Sequence, residues 1–178
     1  MSDGSTAPVG NLGTKVEGRA TLLAYAGLFP FLLLAIVLWV SPWVVSYNAA
    51  GNMLGWCTLY SALLLSFLGG IRWGFALFND DRLISDYVTI TQLTNSIWPV
   101  LICWILIVPN GLIRGISPSF AMIHGVMLIL YWVMMYVDVR ASEEGFAPPW
   151  YGDLRKKITF FLTLIFILTI TRLINFNW

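Results

Sequence analysis

The sequence predicts an all-α protein: a polytopic transmembrane helix bundle of about five spans, with a cytoplasmic N-terminus and a periplasmic C-terminus. Three observations carry this. First, hydrophobic residues make up 58% of the 178 residues and charged residues only 11%, with a mean hydropathy of +0.79. A soluble domain has about 25% charged residues, and a chain this short has too little interior to hide so much apolar surface from water. Second, apolar runs of roughly the 20 residues needed to cross hydrocarbon recur along the chain. Third, the basic residues are asymmetric. With an odd number of spans, Lys15, Arg19, Arg82, Arg140, Arg155, Lys156 and Lys157 fall on one side, and Arg114 and Arg172 on the other. Basic residues favour the inner side, which sets the orientation.

Residues 1–18 have the Gly, Ser, Thr, Asn and Pro content of a flexible tail. Residues 19–178 form the transmembrane domain. Its first span, 22–40, is longer than the apolar core of a secretory signal. Pro30 sits inside it and is expected to kink it, freeing a carbonyl near Ala26. Trp39, Trp43, Tyr47 and Trp56 crowd the following uncharged loop as an interfacial belt.

The second span, 54–78, organises the rest. Arg72 is its one fully charged residue. Thr58, Ala62, Ser66, Gly70 and Gly74 recur every fourth position, as a strip of small side chains. In lipid no hydrophobic gain pulls helices together, so such a strip is expected to be the packing face.

The third span, 88–108, is polar in its first half and apolar after Pro99. The fourth, 117–137, starts at Ser117-Pro118, a suitable N-cap and first helical residue. Residues 138–157 read as the longest internal loop, with Pro148-Pro149-Trp150-Tyr151 lying on the membrane surface. The fifth span is 158–174, and Trp178 is a further interfacial anchor.

Arg72 has two readings. It snorkels to the inner headgroups, as long basic side chains near helix ends do. Alternatively it points into the bundle. Gln92, Asn95 and Ser96 of the third span and Thr159 and Thr163 of the fifth would then share its depth. Such a pocket suits an anionic lipid or a small anion. Asp86 at the loop edge is a possible internal partner. The polar residues of the third span also read as packing glue, bonding to helix carbonyls or between helices.

No carboxylate falls within a predicted span, so no proton relay is expected. The lone His124 reads as a packed histidine, or as an axial ligand to haem or pigment, which makes it the one metal candidate. Cys57 and Cys103 lie in apolar runs and read as free thiols. No catalytic constellation and no nucleic-acid signature is present. No cofactor is expected, although a bound lipid is possible.

Phe67-Leu68-Gly69-Gly70-Ile71-Arg72-Trp73-Gly74 carries a resemblance, together with Tyr25-Ala26-Gly27-Leu28-Phe29-Pro30-Phe31 and with Trp150-Tyr151 followed by Leu154-Arg155. From about residue 22 to 171 the chain resembles small bacterial membrane proteins related to mitochondrial transmembrane protein 69, a family of unknown function. The resemblance implies a multi-pass protein of the bacterial inner membrane, or of the mitochondrial inner membrane. It implies no activity or ligand. The expected function is therefore a non-enzymatic accessory or assembly subunit, with the bilayer and other membrane subunits as partners. The alternatives are an anionic-lipid or small-anion binder or carrier around Arg72, and haem or pigment binding through His124.

Overall fold

The computed structural model describes residues 9–78, 86–107 and 119–175. They form helices α1 (Val9–Ala26), α2 (Phe29–Val40), α3 (Tyr47–Phe78), α4 (Asp86–Ile107), α5 (Phe120–Glu143) and α6 (Pro149–Asn175), with no strand among them. Four stretches are long and apolar enough to cross a membrane: Lys15–Val40, Tyr47–Leu77, Phe120–Glu143 and Pro149–Asn175. The apolar part of α4, Leu93–Ile107, is shorter. About five spanning segments are thus present, as the apolar runs require.

The first helix already begins at Val9, inside the stretch whose composition suggests a tail. The span breaks at Gly27-Leu28, a little before Pro30, which occupies the first turn of α2. There the missing N–H costs least, because it would have had no helical partner. The break leaves carbonyls for α3 to satisfy. The Tyr60 hydroxyl donates to the Gly27 carbonyl at 3.0 Å, and the Cys57 thiol to that of Pro30 at 3.6 Å.

The expected loop over residues 138–157 is a correction. α5 runs on to Glu143, and α6 begins at Pro149. Between them is a tight turn in which Gly145 takes φ +82°. The Gly145 and Phe146 N–H groups return to the carbonyls of Ser142 and Ala141, a Schellman closure that needs a left-handed residue at this point. The Ser142 hydroxyl donates to the Pro148 carbonyl at 2.9 Å. A Cβ on Gly152 would lie 3.0 Å from that of Ser142, so the two helices separate from near contact. Tyr151, expected on the surface, is turned inward and buried. At the start of α5 the N-cap is Ser119, which accepts from Met122 N–H; Ser117 and Pro118 lie outside the described residues.

Around this α5–α6 hairpin, α2 and α1 pack on α6, α3 packs on α5 and α2, and α4 rests on α3 and α5. The main apolar core joins Phe31, Leu65, Met127, Tyr131, Leu162 and Phe166. Arg172, near the far end of α6, is buried and donates to the carbonyls of Leu38 and Ser41 at 2.9 and 2.8 Å. It closes the last turn of α2, where carbonyls have no partner of their own.

The strip of small residues on α3 does not coincide with its buried face. Thr58 is buried and Ala62 and Gly74 are half-buried, but Ser66 and Gly70 are exposed. The buried stripe is Leu54, Thr58, Ser61, Leu65, Leu68, Gly69, Arg72 and Ala76. A strict four-residue step advances about 40° beyond a full turn, so the strip winds away from a straight contact face. The close approach falls on Gly69, where a Cβ would sit 2.5 Å from the Ser96 carbonyl oxygen on α4; at Gly70 a Cβ would meet nothing within 4 Å. Gly69→Ala is accordingly expected to lower stability by about 1–3 kcal/mol through overpacking, while Gly70→Ala is tolerated. Thermal unfolding of both variants in mild detergent measures the difference, and equal melting temperatures would contradict this packing.

Candidate functional site

Asp138 lies more than a turn before the end of α5, at a position that hydropathy assigns to a loop, and it is almost fully buried. Its two oxygens hold three helices together. Oδ1 is 3.3 Å from Nε of Arg72 on α3. Oδ2 accepts from Nε of Arg155 on α6 at 2.7 Å and from the Tyr151 hydroxyl at 3.2 Å. Arg72 and Arg155 are 4% and 6% exposed, so neither snorkels to water. Among the described residues one carboxylate thus serves two guanidiniums. Arg72 Nη1 and Arg155 Nη2 are buried, with no hydrogen-bond partner among the described residues.

The depth follows from the helices. Arg72 and Arg155 each lie roughly 9 Å along the axis from the nearer end of their helix. The whole of α6 is about 40 Å long. A hydrocarbon core is only about 30 Å thick. With α6 centred on that core, the charges would sit close to the level where headgroups give way to acyl chains. Lys15, Arg19, Arg140, Lys156 and Lys157 belong to the same end of the bundle.

Beside the cluster is a groove of about 550 Å³ between α1, α3, α5 and α6, within the range of about 300–1,000 Å³ usual for small-molecule sites. Its walls are almost wholly apolar, with Leu23 and Ala24 from α1, Leu64, Phe67 and Ile71 from α3, and Ile158 and Leu162 from α6. Leu23 and Phe67 are exposed at its border. Arg155 and Thr159 belong to its wall, and Trp150, Tyr151 and Phe75 frame the charged end.

The residues expected around Arg72 divide. Thr159 is buried in the groove wall, one turn along α6 from Arg155. Thr163, half-buried, donates to the Thr159 carbonyl at 2.7 Å and accepts from Trp132 Nε1 at 3.0 Å. Ser96 is buried against α3, its hydroxyl turned back to the Leu93 carbonyl, and Asn95 is half-buried on the same helix. The side chains of Gln92 and Asp86 lie outside the described residues. Arg72 is thus partnered from α5, where Asp138 also binds α6. The expectation that no carboxylate enters a span is overturned by Asp138, and Arg155 and Tyr151 are site residues that the loop assignment concealed.

His124 is buried, with Nδ1 2.8 Å from the Phe120 carbonyl oxygen and its ring against Phe166. It does not line the groove. No group of three His, Cys, Asp or Glu side chains among the described residues is arranged to hold a metal ion. Cys57 and Cys103 are free and buried.

Residues 16–171 match the model of the family described as "protein of unknown function (DUF3429)". The chain belongs to the DUF3429 family. It is similar to transmembrane protein 69 of Xenopus tropicalis, 28% identical over 140 residues, which is 79% of this chain and 49% of the relative. Transmembrane protein 69 of Mus musculus is 33% identical over 85 residues, 48% of this chain and 31% of the relative. The chain therefore spans about half the length, or less, of these curated relatives. No solved structure matches. With its apolar helices, this DUF3429 member is a multi-pass membrane protein.

The shared carboxylate orders the effects of substitution in this DUF3429 chain. Asp138→Asn leaves two buried guanidiniums facing one another and is expected to cost about 3–5 kcal/mol, as loss of one partner in a buried ion pair does. Arg72→Gln leaves a one-to-one pair of Arg155 and Asp138 and costs less. Melting temperatures in one detergent give the order, and a more damaging Arg72→Gln would refute the sharing.

Proposed function

We propose that this protein is a non-enzymatic integral membrane protein that holds an anionic lipid, its head at Arg155 and its hydrocarbon in the groove. The membrane is the bacterial inner membrane or its mitochondrial counterpart. One observation carries the reading: among the described residues two arginines share the one carboxylate of Asp138, and one of them, Arg155, is among the residues that line an apolar groove. An uncompensated buried charge is costly in hydrocarbon, and an anion at the groove wall offsets that cost. The depth of Arg155 favours a lipid headgroup over a soluble anion. The anion-binding alternative thereby moves from Arg72 to Arg155. Arg155→Gln is expected to lose an anionic lipid that co-purifies with the native chain in mild detergent, as read by native mass spectrometry. Identical bound species in both proteins would defeat the proposal.

A second reading, an accessory or assembly subunit of a larger complex, has its own observation. Ser66 and Gly70 are exposed, and a Cβ at Gly70 or Gly74 would meet nothing within 4 Å. That leaves an outward-facing small-residue stretch on α3 of the kind that lets another membrane helix approach closely. Gentle extraction from native membranes tests it. A membrane partner lost on Gly70→Leu is the expected outcome, and a chain that always emerges alone counts against it.

A further inference from the structure

We infer that an acyl chain of an anionic glycerophospholipid enters the groove sideways from the bilayer, between α1 and α3, and that Arg19 at the mouth meets its phosphate. This deepens the lipid-holding reading and rests on it. The opening follows from how α1 is attached. No α1 residue whose side chain is described is buried. The helix packs on α6, where the Tyr25 ring meets that of Phe161 edge-on at 5.9 Å. Its end is tied to α3 at the break, through the Tyr60 hydroxyl and the Gly27 carbonyl. Toward the charged end from there, Leu23 of α1 and Phe67 of α3 both line the groove, yet they are 71% and 64% exposed. Lining residues this exposed mark the side on which a groove is open. Both belong to membrane-spanning stretches, so the open side faces acyl chains. One chain of a two-chain lipid can enter there while the other stays in the bilayer.

Arg155 draws an anion toward the groove, but it is 6% exposed and acts across the wall. A direct contact needs a cation in the open. Arg19 is exposed and directly precedes the lining residue Ala20. It stands four residues before Leu23 on α1, roughly 6 Å further out along the axis. Residues four apart share a side of a helix, so Arg19 lies over the same edge of the mouth as Leu23, with Lys15 one turn beyond. Glu17, two residues from Arg19, faces another way. The other exposed cations of this end are placed elsewhere. On α6 the lining includes Arg155, Ile158, Thr159 and Leu162, and Lys156 and Lys157 fall on sides of that helix turned from it. Lys156 is also 3.5 Å from Asp153, and Arg140 donates to the Tyr136 hydroxyl. An arginine suits a phosphate, because its planar fork donates to two oxygens at once.

The test uses the full chain in phosphatidylcholine nanodiscs holding a minority of phosphatidylglycerol with a diazirine in one acyl chain. Mass spectrometry of the irradiated protein locates the label. Label is expected on Ala24 and Leu64, half-buried residues of the two sides of the mouth. It is expected to fall about fivefold on Arg19→Gln, to fall in high salt, because an exposed contact is screened, and to hold on Lys157→Gln. Arg19 is exposed, so its replacement leaves the fold intact. An equal fall on Lys157→Gln would show a general surface potential and overturn the inference. Label that ignores Arg19→Gln but is lost on Arg155→Gln overturns the role of Arg19 and leaves the lipid-holding reading standing. A phosphatidylcholine probe that labels Ala24 and Leu64 as strongly as the phosphatidylglycerol one overturns both, as does the absence of label at these residues.

Discussion

A single carboxylate, Asp138, fixes how three spanning helices meet. Between helices in lipid there is no hydrophobic driving force, so register depends on packing and on directed polar contacts. Asp138 reaches α3 through Arg72 and α6 through Arg155 and Tyr151. Each ion buried here carries a desolvation cost of several kcal/mol. Only a geometry that keeps a cation at both oxygens offsets it, so sliding any of the three helices is penalised. At the opposite end Arg172 ties α6 to the carbonyls of α2. The last helix is thus pinned near both ends by buried arginines.

That constraint also explains what the sequence revealed and what it concealed. The spans were legible because their solvent is hydrocarbon and composition reports it directly. Arg72 stood out for the same reason. Its partner did not. A hydropathy reading ends a span where charge begins, so Asp138 and Arg155 fell into one supposed loop. They are in fact the facing ends of two helices joined by a short turn at Gly145. The compensating charge belongs to another helix, far along the chain from Arg72, a separation that no local pattern bridges. The packing strip on α3 failed for a geometric reason: a four-residue period is not the helical period. The contact therefore passes from Thr58 to Gly69, and Gly70 is left outside.

The groove arises from the same local chemistry that breaks the first span. Pro30 cannot continue the helix, α1 ends before it, and Tyr60 holds the interrupted backbone from α3. Toward the groove α1 presents Ala20 and Ala24 beside Leu23, and the break adds Gly27, so most of these side chains are small. Tyr60 therefore closes the deep end and stabilises the break that opens the space above it.

An apolar groove bordered by lipid-exposed side chains gains little from hydrocarbon as such, because acyl chains are as apolar as the leucines they would touch. Whatever selectivity it has must come from shape and from its one charged end. Among the described residues two arginines share one carboxylate, and the folded bundle itself holds them there. Arg72 takes one oxygen of Asp138 and thereby prevents that carboxylate from neutralising Arg155 alone. In this arrangement Arg72 acts on Arg155 through Asp138, and under the proposed reading the role that the sequence suggested for Arg72 passes to Arg155.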